Sequence, residues 1–160
     1  MVSTVRISRW MVIGLSLLAL LAAMFAPMTN KAEASVSWGQ EVTEVAKRYM
    51  GVKYKTAGTT PKGFDASGFT QFVFDQSAAD IKLPRTSKEQ YKAGKAVNKK
   101  DIKEGDLVFF NTNGKGVSFV GIALSKDKFI AVTLSKGVSI NSMNTTYWKD
   151  RYVGARRVLK

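Results

Sequence analysis

The chain contains no cysteine and no histidine. That removes the thiolate nucleophile, the disulfide and the lipid-modified cysteine anchor. It also removes the one side chain that titrates near neutrality without a shifted pKa. The usual zinc and transition-metal ligand sets go with them, and no calcium-loop spacing is present. Neither a metal nor a cofactor is expected. What remains is oxygen and nitrogen chemistry, concentrated in two stretches. Asp65-Ala66-Ser67-Gly68-Phe69 sets a carboxylate and a hydroxyl at the head of a helical pattern, and Ser118-Phe119-Val120 sets a second hydroxyl at the start of an apolar run. A serine hydroxyl becomes a nucleophile where a desolvated lysine takes its proton, yet no lysine stands at a spacing that points to such a pair. Arg85 is expected to pair with an acid for structural reasons rather than to contact a ligand.

The elements that must position these groups can be read from periodicity. Ser37 is a candidate cap for a helix from about Trp38 to Met50, with Val42, Val45, Ala46 and Tyr49 on one face and Gly51 as the stop. A loop from Val52 to Phe64 carries the turn signals Gly58, Pro61 and Gly63. Asp65 is placed to cap a second helix, Ala66 to about Ala79, whose apolar stripe is Phe69, Phe72 and Val73. Thr86-Ser87-Lys88-Glu89 has the form of a capping box opening a short helix that ends by Gly94. The next stretch, with Lys92, Lys95, Lys99, Lys100 and Lys103, reads as basic and solvated. Strands follow at Leu107–Phe110, Ser118–Leu124, Lys128–Leu134, Val138–Ile140 and Tyr152–Val158, with a hairpin around Ser135-Lys136-Gly137. Helices first and strands afterwards predict an α+β domain.

A length of 160 residues gives room for one modest domain. The first 34 residues read as an export signal: Arg6 and Arg9 form a basic front, Met11 to Phe25 an apolar core, and Ala32-Glu33-Ala34 a small-x-small site with cleavage expected after Ala34. The apolar run is shorter than the roughly 20 residues a spanning helix needs, so no stable membrane span is expected after cleavage. Residues 35–160 are then one secreted domain. With 25 basic against 12 acidic residues, the net charge is +13. Such a charge favours polyanionic surroundings, which for an exported protein are anionic wall polymers of the teichoic type or anionic lipid. No interleaving of aromatic and basic residues suggests a nucleic-acid partner.

Several landmarks resemble one family. Gly51-Val52-x-Tyr54 and Thr59-Thr60-Pro61-Lys62-Gly63-Phe64-Asp65-Ala66-Ser67-Gly68-Phe69 resemble the nucleophile segment of the NlpC-type cell-wall cysteine endopeptidases. Leu83-Pro84-Arg85-Thr86-Ser87 and Gly105-Asp106-Leu107-Val108-Phe109-Phe110 are similar to that family's next landmarks. Val117-Ser118-Phe119-Val120-Gly121-Ile122 resembles its histidine strand, and Tyr147-Trp148 with Tyr152 to Arg157 its ending. The resemblance implies a papain-like α+β fold, with N-terminal helices packed on an antiparallel sheet of about five to six strands. It implies an ancestral chemistry in which a cysteine at a helix N-terminus is kept ionised by the helix dipole and an imidazolium, a histidine on a facing strand acts as base, and a third polar group orients it. Such enzymes cut stem peptides of peptidoglycan, typically between D-glutamate and the diamino acid.

By the same resemblance, the cysteine position is Ala66, the base position Phe119 and the orienting position Ala131. Three apolar replacements lead to the expectation that the chain is not an enzyme but a wall-associated pseudoenzyme, with Phe119 filling or narrowing the former catalytic pocket. Tyr54, Asp65, Ser67 and Ser118 are the implied substrate-binding residues, with Asp65 holding the free amine of a stem peptide. The expected partners are peptidoglycan stem peptides or a wall hydrolase. The alternatives are a protein-interaction module with a closed groove and an active hydrolase working without cysteine.

Overall fold

The computed structural model describes residues 37–160. The expected export signal and its cleavage site lie outside the described residues. Ser37 caps α1 (Trp38–Lys47), its Oγ accepting the Gln40 N–H at 3.2 Å. Val42, Val45 and Ala46 form the buried stripe of this helix. The helix ends at Lys47 rather than Met50 because the chain tightens into successive turns up to Gly51, whose φ of +82° suits glycine. The expected loop contains a small antiparallel hairpin, β1 (Thr59–Thr60) and β2 (Gly63–Phe64). Helix α2 (Ala66–Gln76) follows at once, and then α3 (Ser87–Gln90), where Thr86 and Glu89 complete the expected capping box.

The remaining elements are β3 (Lys95–Val97), β4 (Leu107–Phe110), β5 (Phe119–Ala123), β6 (Lys128–Thr133), β7 (Gly137–Ser142), α4 (Thr146–Arg151) and β8 (Tyr152–Arg157). Six strands form one sheet in the order β3-β8-β4-β5-β6-β7, and every neighbouring pair is antiparallel. The α+β class and the antiparallel sheet are as expected. Besides the β1–β2 hairpin, two further elements are not. The lysine-rich stretch read as solvated contains β3, an edge strand whose single lysine, Lys95, is exposed. Helix α4, with no side-chain cap bond, is too short for a periodic signal.

Side chains alternate across the strands and build two apolar layers. On one face Leu107, Phe109, Val120, Ile122, Ile130 and Val132 pack against α1 and α2 through Val42, Phe69 and Val73. On the other face Val108, Phe110, Phe129, Ala131 and Ala155 are covered by Ile102, Met143 and Trp148. Strand β8 is tied down by Arg157, whose Nε and Nη2 donate to the Asp106 carboxylate at 2.8 and 2.7 Å. Asp106 is only 1% exposed. This contact raises the pKa of the Arg157 guanidinium.

Candidate functional site

The first turn of α2 gathers the polar groups picked out in the sequence. Asp65 sits in extended conformation ahead of the helix, and its Oδ1 accepts the Gly68 N–H at 2.7 Å. The same carboxylate takes a two-pronged contact from Arg85, with Nη1 to Oδ1 at 3.1 Å and Nη2 to Oδ2 at 2.5 Å. This is the fork geometry that makes arginine–carboxylate pairs strong and directional. Arg85 Nη1 also donates to Ser67 Oγ at 3.1 Å, and Ser67 Oγ donates to Asp65 Oδ1 at 3.3 Å. The hydrogen bonds to Asp65 raise the Arg85 pKa. Arg85 is thus paired with an acid, as expected, but the acid is the predicted ligand residue itself. The pair remains reachable, with the Arg85 side chain 38% and that of Asp65 20% exposed.

What aims Arg85 at the helix is a buried residue that sequence reasoning missed. Gln90 donates from Nε2 to the carbonyls of Pro84 at 2.8 Å and Ser67 at 3.1 Å, and its Oε1 accepts from Thr70 Oγ1 at 2.7 Å. Gln71 Nε2 donates to the Leu83 carbonyl at 2.8 Å. The Leu83-Pro84-Arg85 segment is therefore clamped on α2 through its backbone. Nothing in the local pattern separates Gln90 from a surface glutamine, because its partners come from distant segments. Gly68 contributes by lacking a side chain: a Cβ there would lie 2.1 Å from the Gly58 carbonyl oxygen. The loop before the hairpin can approach the helix only because that space is empty.

Ala66 is partly exposed in this first turn and packs against the helix-side apolar layer. Phe119 and Ala131 belong to the opposite layer of the sheet. Phe119 stacks on Trp148 at 4.9 Å between ring centroids, with Phe110 edge-on at 6.2 Å. Ala131 is fully buried. Phe119 does not seal the surface. Together with Leu134, Asn141, Tyr147, Trp148 and Thr112 it lines an open groove of 640 Å³, which neither Ala66 nor Asp65 lines. The Phe119 ring lies against Trp148 as one wall of that groove. Ser118 anchors the loop ahead of β5: its Oγ accepts the Thr112 N–H at 2.8 Å and lies 3.0 Å from Thr112 Oγ1. Tyr54 is half-buried, forms a backbone bridge to Phe64, and packs at the edge of the helix-side layer. The structure therefore brings Asp65, Ser67 and Arg85 together by hydrogen bonds, while Ser118 makes its contacts on the loop ahead of β5.

Residues 51–157 match the family described as the NlpC/P60 family. The chain belongs to the NlpC/P60 family. Among its relatives, the murein DD-endopeptidase MepS/murein LD-carboxypeptidase of Escherichia coli K12 is 43% identical over 111 residues, covering 69% of this chain and 58% of the relative. A gamma-DL-glutamyl hydrolase of Bacillus subtilis is 42% identical over 118 residues, covering 72% of this chain and 28% of the relative. A probable endopeptidase NlpC homolog of Haemophilus influenzae is 34% identical over 131 residues, covering 82% and 68%. The chain thus spans little more than half of the first relative and less of the second. An NlpC/P60 family protein from Bacillus cereus superposes with a TM-score of 0.71 at 34% identity, covering 76% of this chain and 40% of the other. RipD from Mycobacterium tuberculosis, described as a non-catalytic NlpC/p60 domain protein adapted to peptidoglycan binding, superposes with a TM-score of 0.62 at 27% identity, covering 77% and 98%.

These relatives correct one expectation. The three apolar replacements were read to mean that the chain is not an enzyme, but NlpC/P60 relatives between 34% and 43% identical are named as endopeptidases and a hydrolase. The physical reason for the correction is that lacking a thiol and an imidazole removes one mechanism, not a reaction class. With no cysteine and no histidine, the chain has no thiolate–imidazole route, and other nucleophiles are left in play.

Proposed function

We propose that this chain recognises the stem peptides of peptidoglycan at the first turn of α2, where Asp65, Ser67 and Arg85 form a solvent-accessible polar cluster beside Ala66, with Tyr54 and Ser118 as the further contacts the family resemblance implies. The observation that carries the reading is the reachable Arg85–Asp65 fork at a helix N-terminus. A stem peptide offers both carboxylates and a free amine. Arg85 and the dipole of α2 suit the former, and Asp65 the latter. A ligand would exchange partners within a pair already built. The name of the murein-directed relative from Escherichia coli supports the substrate class, and the description of RipD supports binding as a function in its own right. Export through residues 1–34 and residence in the cell wall as a single domain, residues 35–160, belong to the same proposal. Among the described residues no helix is long and apolar enough to cross a membrane.

A second reading, hydrolysis of the bound peptide, is favoured by the enzyme names of the relatives. With no thiol or imidazole available, the hydroxyl nearest the family's nucleophile position is Ser67. Its hydroxyl donates to Asp65 Oδ1, and that carboxylate is already engaged by Arg85. One experiment covers both readings. Calorimetric titration of the purified chain with muropeptides is expected to show saturable binding, weakened about tenfold or more in Asp65→Ala and in Arg85→Gln. Absence of saturable binding would overturn the proposal. Mass spectrometry of the same mixtures reads cleavage, and fragments that disappear in Ser67→Ala but persist in a distant control would establish the second reading.

A further inference from the structure

The helical turn at Lys99–Asp101 and the β5–β6 turn meet on the side of the sheet away from α1 and α2. There Lys99, Lys100, Lys126 and Asp127 line a shallow depression of 390 Å³. Asp127 is already occupied: Lys126 Nζ lies 3.1 Å from its Oδ2, and Asn144 Nδ2 donates to Oδ1 at 3.2 Å. Those contacts lower its pKa, Lys126 first and Asn144 next, with Lys99 adding its charge. Among the described residues, Lys99 and Lys100 form no ion pair. The other nearby acid, Asp101, accepts a hydrogen bond from Asn98 at 3.3 Å. Three lysines thus face two acids, Asp127 and Asp101, which leaves an excess of positive charge at one place on an already basic chain.

We infer that this depression is a docking site for a flexible phosphodiester polymer without bases, of the kind found in bacterial envelopes. Three features select that partner. The cations are all lysines, compact charges on flexible stems that suit an irregular anionic chain better than a fixed two-pronged geometry. No aromatic face is open beside them for base stacking, because Lys99 Nζ lies over the Tyr152 ring at 5.1 Å. No large apolar side chain lines the depression to enter a lipid surface. The site lies apart from the α2 cluster and does not depend on the stem-peptide proposal.

The test uses the intact chain and poly(glycerol phosphate) as the probe, with binding followed at several salt concentrations. Affinity is expected to fall steadily with salt, as it does when counterions are released from a polyanion. The triple change Lys99→Glu, Lys100→Glu and Lys126→Glu is expected to lower affinity by about tenfold or more. A charge-matched control with Lys53→Glu, Lys62→Glu and Lys88→Glu, all exposed positions, is expected to stay within about twofold of the unmodified chain. Equal losses in both variants would overturn the site, leaving only net charge at work. No binding by the unmodified chain, or tighter binding to anionic vesicles or a single-stranded oligonucleotide of matched charge, would overturn the choice of partner.

Discussion

Tyr152 shows how a single side chain can set the alkaline limit of this fold. Its Oη is buried and has no hydrogen-bond partner. Burial pushes its pKa up to about 12 from 10.0, with smaller contributions from the Tyr91 and Asp106 charges. Folded Tyr152 therefore holds its proton where the unfolded chain has released it, so stability is full below about pH 10 and falls as pH rises towards the folded value. The expected loss between about pH 9 and about pH 12 is roughly 2–3 kcal/mol from this group. Urea unfolding of the chain and of Tyr152→Phe checks it: the part of the alkaline loss missing from Tyr152→Phe belongs to the phenol, and equal losses in both would reject the assignment. The buried Gln90 makes the opposite case, a polar group satisfied at every atom that reports, through Pro84 and Ser67, where Arg85 must sit.

At the scale of elements, the candidate site depends on how closely the β1–β2 hairpin approaches α2. Asp65 N–H donates to the Gly58 carbonyl at 3.0 Å, and that same carbonyl occupies the space a Cβ on Gly68 would need. Helix propensity alone would favour Gly68→Ala by about 1 kcal/mol. The collision is with backbone rather than with the tip of a flexible side chain, so the steric cost, typically about 1–3 kcal/mol for overpacking, should win. Gly68→Ala is expected to lower the urea midpoint and to loosen the Asp65–Arg85 pair, seen as faster amide exchange at Gly58 and Asp65. An unchanged midpoint would mean that the hairpin moves away without cost. The glycine of the Asp65-Ala66-Ser67-Gly68 run is thus required by the approach of a loop, a reason that does not depend on catalysis.

Across the whole molecule, two apolar layers share one sheet, and the three positions assigned by family resemblance fall on different sides of it. Ala66 packs on the helix side, while Phe119 and Ala131 are in the layer closed by Trp148 and Met143. Ala131 sits close under Gly121, where a glycine Cβ would already lie 3.0 Å from its own Cβ. Ala131→His therefore places an imidazole in a filled apolar layer, with an expected cost of roughly 2–4 kcal/mol. Ala66→Cys at the half-open helix end should cost little. The triple change Ala66→Cys, Phe119→His and Ala131→His is expected to unfold at lower temperature than Ala66→Cys alone. If it still releases more peptidoglycan fragments than the unmodified chain, by mass spectrometry, the three positions can still act on one bond. A triple variant as stable as Ala66→Cys would contradict the packing described for Ala131.

The α+β class, the caps at Ser37, Asp65 and Thr86, and the absence of any thiol or imidazole were all legible in the sequence alone, because each rests on residue identity, on periodicity or on contacts within one turn. The pairing of Asp65 with Arg85, the clamp at Gln90, the strand hidden among the lysines at 95–97, and the cover supplied by Trp148 were decided only by the tertiary structure. Each joins segments far apart in the chain, and local periodicity carries no information about which distant partner satisfies a polar atom or closes an apolar face. The same holds for the lysine depression: a run of basic residues announces charge, but only the meeting of two turns concentrates it at one place.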